Sequence, residues 1–219
     1  MLDLTGDRDI EWSFVAARIP EAPGDPLQAI RGTALDFGCR DTSLGLIAAM
    51  KGYQTLSIDL EPHVFTWWHP NRRFLQIDLL HPNFDGCLDN KQFDLVINCS
   101  TIEHVGLAGR YGVVSGELLG DIRAMDKLYN LMKPAGKQIL TLPVGKDAVF
   151  PPLHRVYGEK RFFQLIGDLL IERAEFWIKD PQLGWNLATW EDAFNYEAEW
   201  SDQRRIYAIG CFTLMKRAT

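Results

Sequence analysis

Apolar positions along the chain follow two patterns, short continuous runs and longer stretches with helical spacing. The continuous runs are rich in branched residues and predict buried strands. Apolar residues at steps of three and four predict helices, most clearly at Leu118, Ile122, Met125, Tyr129 and Met132. We therefore predict strands at residues 33–37, 54–58, 74–77, 93–99 and 138–142, with helices at 44–50 and 118–132.

The segments on either side of this alternating region have weaker patterns. Residues 1–32 contain several prolines that break any long helix, so we expect a cap with one short helix. Residues 143–219 predict a helix at 159–166 and two strands, at 170–178 and 206–215. Five strands alternating with helices and two more at the end predict a single three-layer α/β domain. Its seven-stranded sheet is expected to be mostly parallel, with an antiparallel hairpin at the carboxy terminus.

Charge and composition narrow the class of partner. The 219 residues carry a net charge of −6, which argues against a nucleic-acid partner, because polyanions are bound mainly by clustered Lys and Arg. The amino terminus does not resemble a signal peptide, and no apolar run reaches the ~20 residues needed to cross a bilayer. The four cysteines are scattered, which is typical of reduced thiols. We therefore expect a cytoplasmic protein with no membrane partner.

Acidic residues stand at or near the carboxyl ends of the first three predicted strands. Asp36 lies two residues before Gly38, Asp59 ends the second strand, and Asp78 follows the third. Residues 98–104 occupy the same position on the fourth strand. Because ligands of open parallel sheets bind outside the carboxyl ends of the strands, these segments predict one ligand site. Two alternatives need no ligand: Asp36 caps the following turn, and Asp78 is an ordinary loop aspartate.

The turn after the first strand does not fit a dinucleotide. A nicotinamide site requires GxGxxG directly after the strand, and here Arg40 stands at the position of the second glycine. A phosphate-binding Walker loop is also absent from the sequence. The carboxylate of Asp36 inside the first strand indicates instead a ligand with a cationic end. These features disfavour a nicotinamide oxidoreductase.

The same stretches resemble the motifs of class I S-adenosylmethionine-dependent methyltransferases. The matching segments are LDFGCR, SIDLEP, LQIDLL, FDLVINCS and the turn Lys133-Pro134-Ala135-Gly136. Two further stretches, STIEHVGLAGRYG and LPVGKDAVFPPLHRVYG, resemble a poorly characterised bacterial branch of that superfamily. The resemblance implies a Rossmann-like fold, S-adenosylmethionine as cofactor, and methyl transfer as the reaction.

The resemblance also implies roles in binding the cofactor. Asp36 and Gly38 would shape the site for its methionine end, Asp59 would bind the ribose hydroxyls, and Asp78 would bind the adenine amino group. Arg40 replaces a small residue of the family pattern, so it turns outward, pairs with the cofactor carboxylate, or prevents tight binding. The full set of expected cofactor-binding residues is Asp36, Phe37, Gly38, Cys39, Arg40, Asp59, Leu60, Asp78, Asn98 and Cys99.

Residues after the fourth and fifth strands are candidates for acting on the acceptor. His104 is the candidate general base, steered by Glu103, because an imidazole titrates near pH ~6.5 and can take a proton from an attacking hydroxyl or amine. A histidine that only fixes its loop is the alternative. The loop 106–112, with Arg110 and Tyr111, is a candidate flexible substrate gate, and an ordinary turn is the alternative. A guanidinium beside an aromatic ring suits a carboxylate, a phosphate or a sugar, which makes His154, Arg155 and Tyr157 candidates for binding the acceptor. A surface ion pair at a helix start is the alternative for these three residues.

The acceptor is predicted only as a class. The aromatic and acidic stretch 185–200 has three possible roles: a wall on which a sugar stacks, a packing element over the sheet edge, or a homodimer contact. With Arg155, it favours a small-molecule or carbohydrate-like acceptor. The competing hypothesis, motivated by Arg40, is a binding or regulatory protein that keeps the fold without catalysing methyl transfer. Histidine spacing matches no common ligand pattern, so no metal is expected.

These expectations divide the single domain into three parts. Residues 1–32 form the cap, residues 33–142 form the cofactor-binding core, and residues 143–219 form the substrate side.

Overall fold

Strands alternate with helices along most of the chain, which a computed structural model describes over residues 6–40, 42–63, 65–88, 91–180, 184–200 and 205–218. The first half contains α1 (Arg8–Arg18), β1 (Gly32–Phe37), α2 (Leu44–Met50), β2 (Tyr53–Asp59), β3 (Arg72–Gln76) and β4 (Phe93–Cys99). The second half contains α3 (Gly120–Leu131), β5 (Met132–Val144), β6 (Ala148–Phe150), β7 (His154–Val156), α4 (Glu159–Ile166), β8 (Leu170–Asp180), β9 (Gly184–Ala188), α5 (Trp190–Asn195), β10 (Glu199–Trp200), β11 (Arg205–Ile206) and β12 (Ala208–Met215).

Eight of these strands form one sheet in the order β3-β2-β1-β4-β5-β12-β8-β9. The first five strands in that order are parallel to one another. β12 pairs antiparallel with both β5 and β8, and β9 pairs antiparallel with β8. The first five strands and β8 consequently point the same way, so their carboxyl ends lie at one edge of the sheet. β12 begins at that same edge, because it runs in the opposite direction.

Successive residues of the central strands face two different helical layers. In β4, Leu95 and Ile97 pack on the side covered by α1 and α2, whereas Val96 packs on the side covered by α3, α4 and α5. Side chains alternate across a strand, so a strand buried on both faces must be apolar throughout. This burial explains the continuous apolar run that predicted β4. Among the described residues, no helix has the length and apolarity needed to cross a membrane.

The α/β fold with a largely parallel sheet is confirmed, and α2, β4 and α4 lie where the sequence predicts them. The sheet has eight strands rather than the predicted seven, because Gly184–Ala188 forms an edge strand. Its residues are half-buried or exposed, so no apolar run marks it in the sequence. The strands β8 and β12 pair antiparallel. They are not a hairpin, because β9, α5, β10 and β11 lie between them in the chain.

Candidate functional site

A cavity of about 680 Å³ lies along the edge where the parallel strands end. Its wall includes residues from the ends of β1, β2 and β4, from the loop after β3, and from the start of β12. The six strands from β3 to β12 span about 24 Å at ~4.8 Å per strand, which is enough for two ligands side by side. We call the part near β1, β2 and β3 the first half. The second half is the part near β4, β5, β12 and α1.

Gly38 forms the turn that follows β1 in the first half. Its φ is +68°, and a Cβ atom at this position would lie 2.2 Å from Cγ2 of Thr101. Both the backbone conformation and the close approach of Thr101 therefore require glycine. The N–H of Gly38 donates to the carbonyl of Ile58 at 2.9 Å, which ties the turn to β2. At Gly38 the cavity wall is therefore formed by the backbone, without a side chain.

Asp59 ends β2 and presents a carboxylate that the backbone holds at both oxygens. Oδ2 accepts the N–H of Arg40 at 3.0 Å, and Oδ1 accepts the N–H of Glu61 at 3.0 Å. Asp59 is half-buried and lines the cavity. A carboxylate offers about four lone-pair sites, so Asp59 can still accept bonds from two hydroxyl groups.

Asp78 and Leu60 complete the polar and apolar lining of the first half. Asp78 is exposed, and its Oδ1 accepts the N–H of Leu80 at 2.8 Å in the loop after β3. Both Asp78 and Leu60 line the cavity, as does Phe37 at the end of β1. The structure therefore brings these sequence-predicted residues together with Asp59 and Gly38.

Asp36 does not line the cavity, although the sequence predicts that it shapes the cofactor site. It is 2% exposed, and its Oδ2 accepts the hydroxyl of Ser57 at 3.0 Å and lies 3.6 Å from the guanidinium of Arg72. Burial raises the pKa of Asp36 to about 6, while Arg72, Ser57 and the N–H of Gly45 oppose the rise. A Cβ atom on Gly45 would lie 2.4 Å from the same oxygen. Asp36 thus joins the start of α2 to β2 and β3.

Two more expected cofactor-binding residues are enclosed by protein. Cys39 is fully buried behind the turn, and burial raises the pKa of its thiol far above the usual value. Asn98 is also fully buried, and its Nδ2 lies 3.5 Å from Sδ of Met125. Neither residue lines the cavity, whereas Cys99 does.

Arg40 directs its guanidinium toward neighbouring side chains. Its Nη1 lies 3.4 Å from Oε2 of Glu61, and the guanidinium carbon lies 5.5 Å from the ring centre of Tyr111. The Arg40 side chain is 46% exposed and lines the cavity at its rim. Among the sequence alternatives, this position matches the outward one.

Glu103 lies in the second half, on a single turn of 3₁₀-helix (Ile102–His104) that follows β4. It is 1% exposed and lines the cavity. Its Oε1 accepts the hydroxyl of Ser100 at 2.8 Å, whereas its Oε2 has no hydrogen-bond partner among the described residues. Burial raises the pKa of Glu103 to about 7, against the opposing effect of hydrogen bonds from its own backbone N–H and from Ser100.

His104 is oriented by the backbone carbonyl of Leu153, another residue that lines the cavity. Its Nδ1 makes a short contact with the carbonyl oxygen of Leu153. A carbonyl can only accept, so Nδ1 carries the proton and Nε2 is the acceptor. Nε2 lies 3.5 Å from Oε1 of Glu103. Burial lowers the pKa of His104 to about 4, although the bond to Leu153 opposes this effect. The ring is therefore neutral at pH 7.

The helix α1 contributes acidic residues that the sequence did not suggest. Glu11 is 2% exposed, and its Oε1 accepts the hydroxyl of Thr141 at 2.8 Å. Asp7 precedes the helix, and its Oδ2 accepts the hydroxyl of Tyr207 at 2.7 Å. Burial, with the charges of Asp7 and Glu103, raises the pKa of Glu11 well above its ordinary value. Both acids line the second half of the cavity. No sequence motif could identify them, because their partners lie far along the chain.

The expected acceptor-binding residues divide into two groups. Arg110, Tyr111 and His154 line the cavity. Arg155 does not line it: the residue is 2% exposed and its guanidinium donates to the carbonyls of Glu103 at 3.3 Å, of Val105, and of Glu117 at 3.4 Å. Its ion-pair contact is with buried Asp121 at 3.7 Å, so it is not a surface ion pair. Instead, it fixes the backbone of the loop that carries Glu103 and His104.

Tyr157 is likewise buried in the protein rather than exposed to the cavity. Its hydroxyl donates to Oδ2 of Asp121 at 3.0 Å, and Asp121 also accepts two bonds from Arg161 at 2.9 and 3.1 Å. The sequence predicts that Tyr157 contacts the acceptor, whereas in the structure its hydroxyl contacts Asp121 and the carbonyl of Ile102. Within the described ranges, no group of three or more His, Cys, Asp and Glu side chains is arranged to hold a metal ion.

The aromatic stretch 185–200 contributes mainly to packing. Trp190 stacks on Phe163 at 5.8 Å and meets Phe176 edge-on at 5.2 Å, so α5 covers the sheet. Trp185 packs against Tyr207 at 5.2 Å. Trp200 alone from this stretch lines the cavity, where its ring centre lies 4.3 Å from that of His154.

Sequence comparison matches part of the chain to one family model. Residues 81–171 match the family described as "Caenorhabditis protein of unknown function, DUF268". The matched region contains both STIEHVGLAGRYG and LPVGKDAVFPPLHRVYG, whose assignment to a bacterial branch stays a prediction. A comparison with curated proteins finds no match.

Solved structures with low sequence identity share the fold. The 1,6-didemethyltoxoflavin-N1-methyltransferase of Burkholderia thailandensis, solved with 1,6-didemethyltoxoflavin and S-adenosylhomocysteine, is 12% identical with a TM-score of 0.60, over 98% of this chain and 81% of that one. The N-methyltransferase NodS of Bradyrhizobium japonicum WM9 is 12% identical with a TM-score of 0.55, over 96% of each chain. The [4+2]-cyclase SpnF is 13% identical with a TM-score of 0.58, over 95% of this chain and 81% of that one. The chain therefore shares the Rossmann-like fold of these three solved structures.

Proposed function

We propose that the protein transfers a methyl group from S-adenosylmethionine to a small-molecule or carbohydrate-like acceptor. The observation that carries this proposal is the cavity itself, which runs from the backbone-held carboxylate of Asp59 to the buried carboxyl group of Glu103. The first half offers the hydrogen-bond acceptors that a nucleoside needs. The second half offers proton-accepting groups and an aromatic wall, which suit an acceptor.

The residues of the first half fit the cofactor chemically. Asp59 would accept bonds from the ribose hydroxyls, and the bare backbone at Gly38 would allow close approach of the methionine end. Asp78 would accept a bond from the adenine amino group, with Leu60 beside the ring. When bound, S-adenosylmethionine supplies an electrophilic methyl group, whose bond to the sulfonium sulfur breaks as the acceptor's lone pair bonds to the carbon.

The residues of the second half would position the acceptor and take its proton. We assign proton acceptance to the Glu103 and His104 pair, because both groups line the cavity and face each other at 3.5 Å. Arg155 holds the backbone on which both residues stand. Most of the rate gain would come from holding the acceptor in line with the methyl group.

This assignment refines the proposed division of the single domain. Residues 33–142 form the cofactor-binding core, and residues 143–219 contribute His154, Trp200 and Tyr207 to the acceptor side. The cap formed by residues 1–32 also belongs to the acceptor side, because α1 supplies Glu11 to the cavity wall.

Titration calorimetry with S-adenosylhomocysteine tests the first half directly. We expect binding by the wild-type protein and at least tenfold weaker binding by Asp59→Ala, which removes the ribose-binding carboxylate. Asp168→Ala is the matched control, because Asp168 is exposed and lies outside the cavity. Equal affinity of wild type and Asp59→Ala, or binding of NAD in place of S-adenosylhomocysteine, contradicts the proposal.

The second candidate is a protein that keeps this fold without transferring methyl groups. Arg40 at the cavity rim favours it, and so does the fold likeness to SpnF, which is a cyclase. Methyl transfer from radiolabelled S-adenosylmethionine to a panel of small molecules and sugars separates the two candidates. Binding of S-adenosylhomocysteine with no labelled product from the panel favours the second.

A further inference from the structure

Three carboxyl groups meet in the second half of the cavity, on Asp7, Glu11 and Glu103. Glu11 and Glu103 are almost completely buried. One oxygen of each accepts a hydroxyl, from Thr141 and from Ser100. The other oxygen of each, Oε2, has no hydrogen-bond partner among the described residues. In each carboxyl group, one oxygen therefore has a hydrogen-bond partner in the protein and the other has none among the described residues.

Little positive charge compensates these carboxylates. Within the described chain, no ion pair joins Glu11 to a cation, and the ion-pair contact of Glu103 is with His104, which is neutral at pH 7. Arg8 and Arg110 also line the cavity, and their charges lower the pKa of Glu11 and of Glu103 against the larger effect of burial. A buried carboxylate without a counter-charge is costly, which is why burial raises the pKa of both groups, and a cationic ligand would restore their charged form.

An independent observation at the same place points to a ligand with a polar group. His154 is 5% exposed, lines the cavity, and has an Nε2 atom without a hydrogen-bond partner among the described residues. Its ring centre lies 4.3 Å from that of Trp200, which in turn lies 5.4 Å from that of Tyr207. Aromatic faces attract cations, so this wall complements the carboxylates.

We propose that Glu11 and Glu103, with His154 and the aromatic wall, bind a protonated amine of the methyl acceptor. The inference rests on the proposed function and deepens it by making the acceptor an amine. A protonated primary amine has three N–H donors and a positive charge, which match the two free carboxylate oxygens and the ring nitrogen of His154 in the tautomer with its proton on Nδ1. A sugar hydroxyl offers one donor and no charge, so it would leave at least one of these groups unsatisfied.

The same carboxylates account for the proton that the amine must lose. A protonated nitrogen has no lone pair to share with a methyl group. The N–H bond breaks, the electron pair stays on nitrogen, and the proton forms an O–H bond with the carboxylate of Glu103. Burial raises the pKa of Glu103 to about 7, so this carboxylate can accept a proton near neutral pH.

Matched probes that differ in one functional group test this inference. Calorimetry would compare phenethylamine with 2-phenylethanol, and glucosamine with glucose, on the protein with and without S-adenosylhomocysteine. We expect the amine of at least one pair to bind about tenfold more tightly than its hydroxyl partner, because hydrogen bonds to charged groups are stronger than those between neutral groups. Glu11→Gln and Glu103→Gln should each lose this preference. Glu197→Gln is the control, since Glu197 is exposed and outside the cavity.

The outcomes separate this inference from the proposed function. The affinity for S-adenosylhomocysteine should stay within twofold of wild type in both glutamine variants. A large loss of that affinity would assign the carboxylates to the amino group of the cofactor and overturn the inference. It is also overturned when neither amine binds at millimolar concentration, or when the preference survives in the Glu11→Gln, Glu103→Gln double variant. Failure of the wild type to bind S-adenosylhomocysteine rejects methyl transfer, whatever the amine result.

Discussion

Oε1 of Glu103 lies 3.5 Å from Nε2 of His104, and each of these atoms is a hydrogen-bond acceptor when Glu103 is ionised. The ring cannot supply the proton from Nδ1, because that nitrogen donates to the carbonyl of Leu153. A proton taken up by the pair would sit on Glu103, because burial raises the pKa of Glu103 to about 7 and lowers that of His104 to about 4. A proton on Oε1 can be directed at Nε2 of His104, 3.5 Å away. The two residues form a single proton-accepting unit, rather than a base with a separate orienting carboxylate.

We expect the free energy of unfolding of Glu103→Gln to increase, relative to that of the wild type, as the pH rises from 5 to 8. The carboxyl pKa is about 7 in the folded protein against an ordinary value of 4.5 for a glutamate exposed to water, so folding favours the protonated form. Glu103 stabilises the folded protein below pH ~4.5, and this stabilisation is lost as the pH rises toward 7. The loss is about 3 kcal/mol, at ~1.4 kcal/mol per unit of difference between the folded and unfolded pKa values. Glutamine does not titrate and avoids the loss. Urea unfolding at both pH values measures the difference between variant and wild type.

The comparison of variant with wild type at each pH is essential, because nearby histidines act in the opposite direction. Burial lowers the pKa of His104 and of His154 to about 4, so these groups destabilise the fold as the pH falls from 6.5 toward 4. Glu172→Gln on the surface is the control and should show no such trend. A stability difference for Glu103→Gln that is the same at pH 5 and pH 8 contradicts the assignment.

Arg72→Met is expected to destabilise the fold by about 3 kcal/mol at pH 7 while leaving the affinity for S-adenosylhomocysteine unchanged. Arg72 and Asp36 have side chains that are 3% and 2% exposed, and the guanidinium lies 3.3 Å from the ring centre of Phe65. Removing the cation leaves Asp36 buried without its counter-charge. Chemical unfolding measures the first effect, and calorimetry measures the second.

Lys137→Met is the matched control for this prediction. Lys137 pairs with Glu172 at 2.7 Å on the surface, where such pairs contribute ~0–1 kcal/mol. A weakened affinity for S-adenosylhomocysteine in fully folded Arg72→Met would show that Asp36 acts on the cofactor after all.

Tyr157→Phe is expected to cost ~1–2 kcal/mol of stability and to leave ligand binding intact, because its hydroxyl donates to buried Asp121 rather than to the cavity. Asp121 keeps its two bonds from Arg161 in the variant. Tyr129→Phe on α3 serves as the control. Thermal unfolding and binding of the amine probes give the two readouts. A change in probe affinity without a change in stability would restore Tyr157 to the acceptor site.

Local pattern was sufficient to predict the parts of the fold that depend on neighbouring residues. The strand β4 is apolar because both of its faces are buried, and Asp59 and Gly38 reach the cavity because they follow or end parallel strands. Side-chain direction within a strand was harder to predict. Asp36 shares a face with Ala34, which packs in the α1 and α2 layer, so its carboxylate faces that layer.

The contacts that join distant segments could not be predicted from the sequence. Glu11 meets Thr141 across 130 positions, and Tyr207 meets Asp7 across 200. These contacts depend on how α1 crosses the sheet, and no periodicity in α1 encodes that. The sequence also did not predict which of His154 and Arg155 faces the cavity. Adjacent residues of β7 point in opposite directions, and of these two His154 lines the cavity.

Gly38→Ala is expected to weaken binding of S-adenosylhomocysteine at least tenfold and to lower stability by more than ~1 kcal/mol. The φ of +68° is unfavourable for alanine, and the added Cβ would lie 2.2 Å from Cγ2 of Thr101. The turn must shift, and its backbone bonds to Ile58 shift with it. Calorimetry and urea unfolding measure the two effects. Gly86→Ala is the control, because a Cβ atom there meets nothing within 4 Å. Wild-type affinity in Gly38→Ala would mean that this turn does not contact the cofactor.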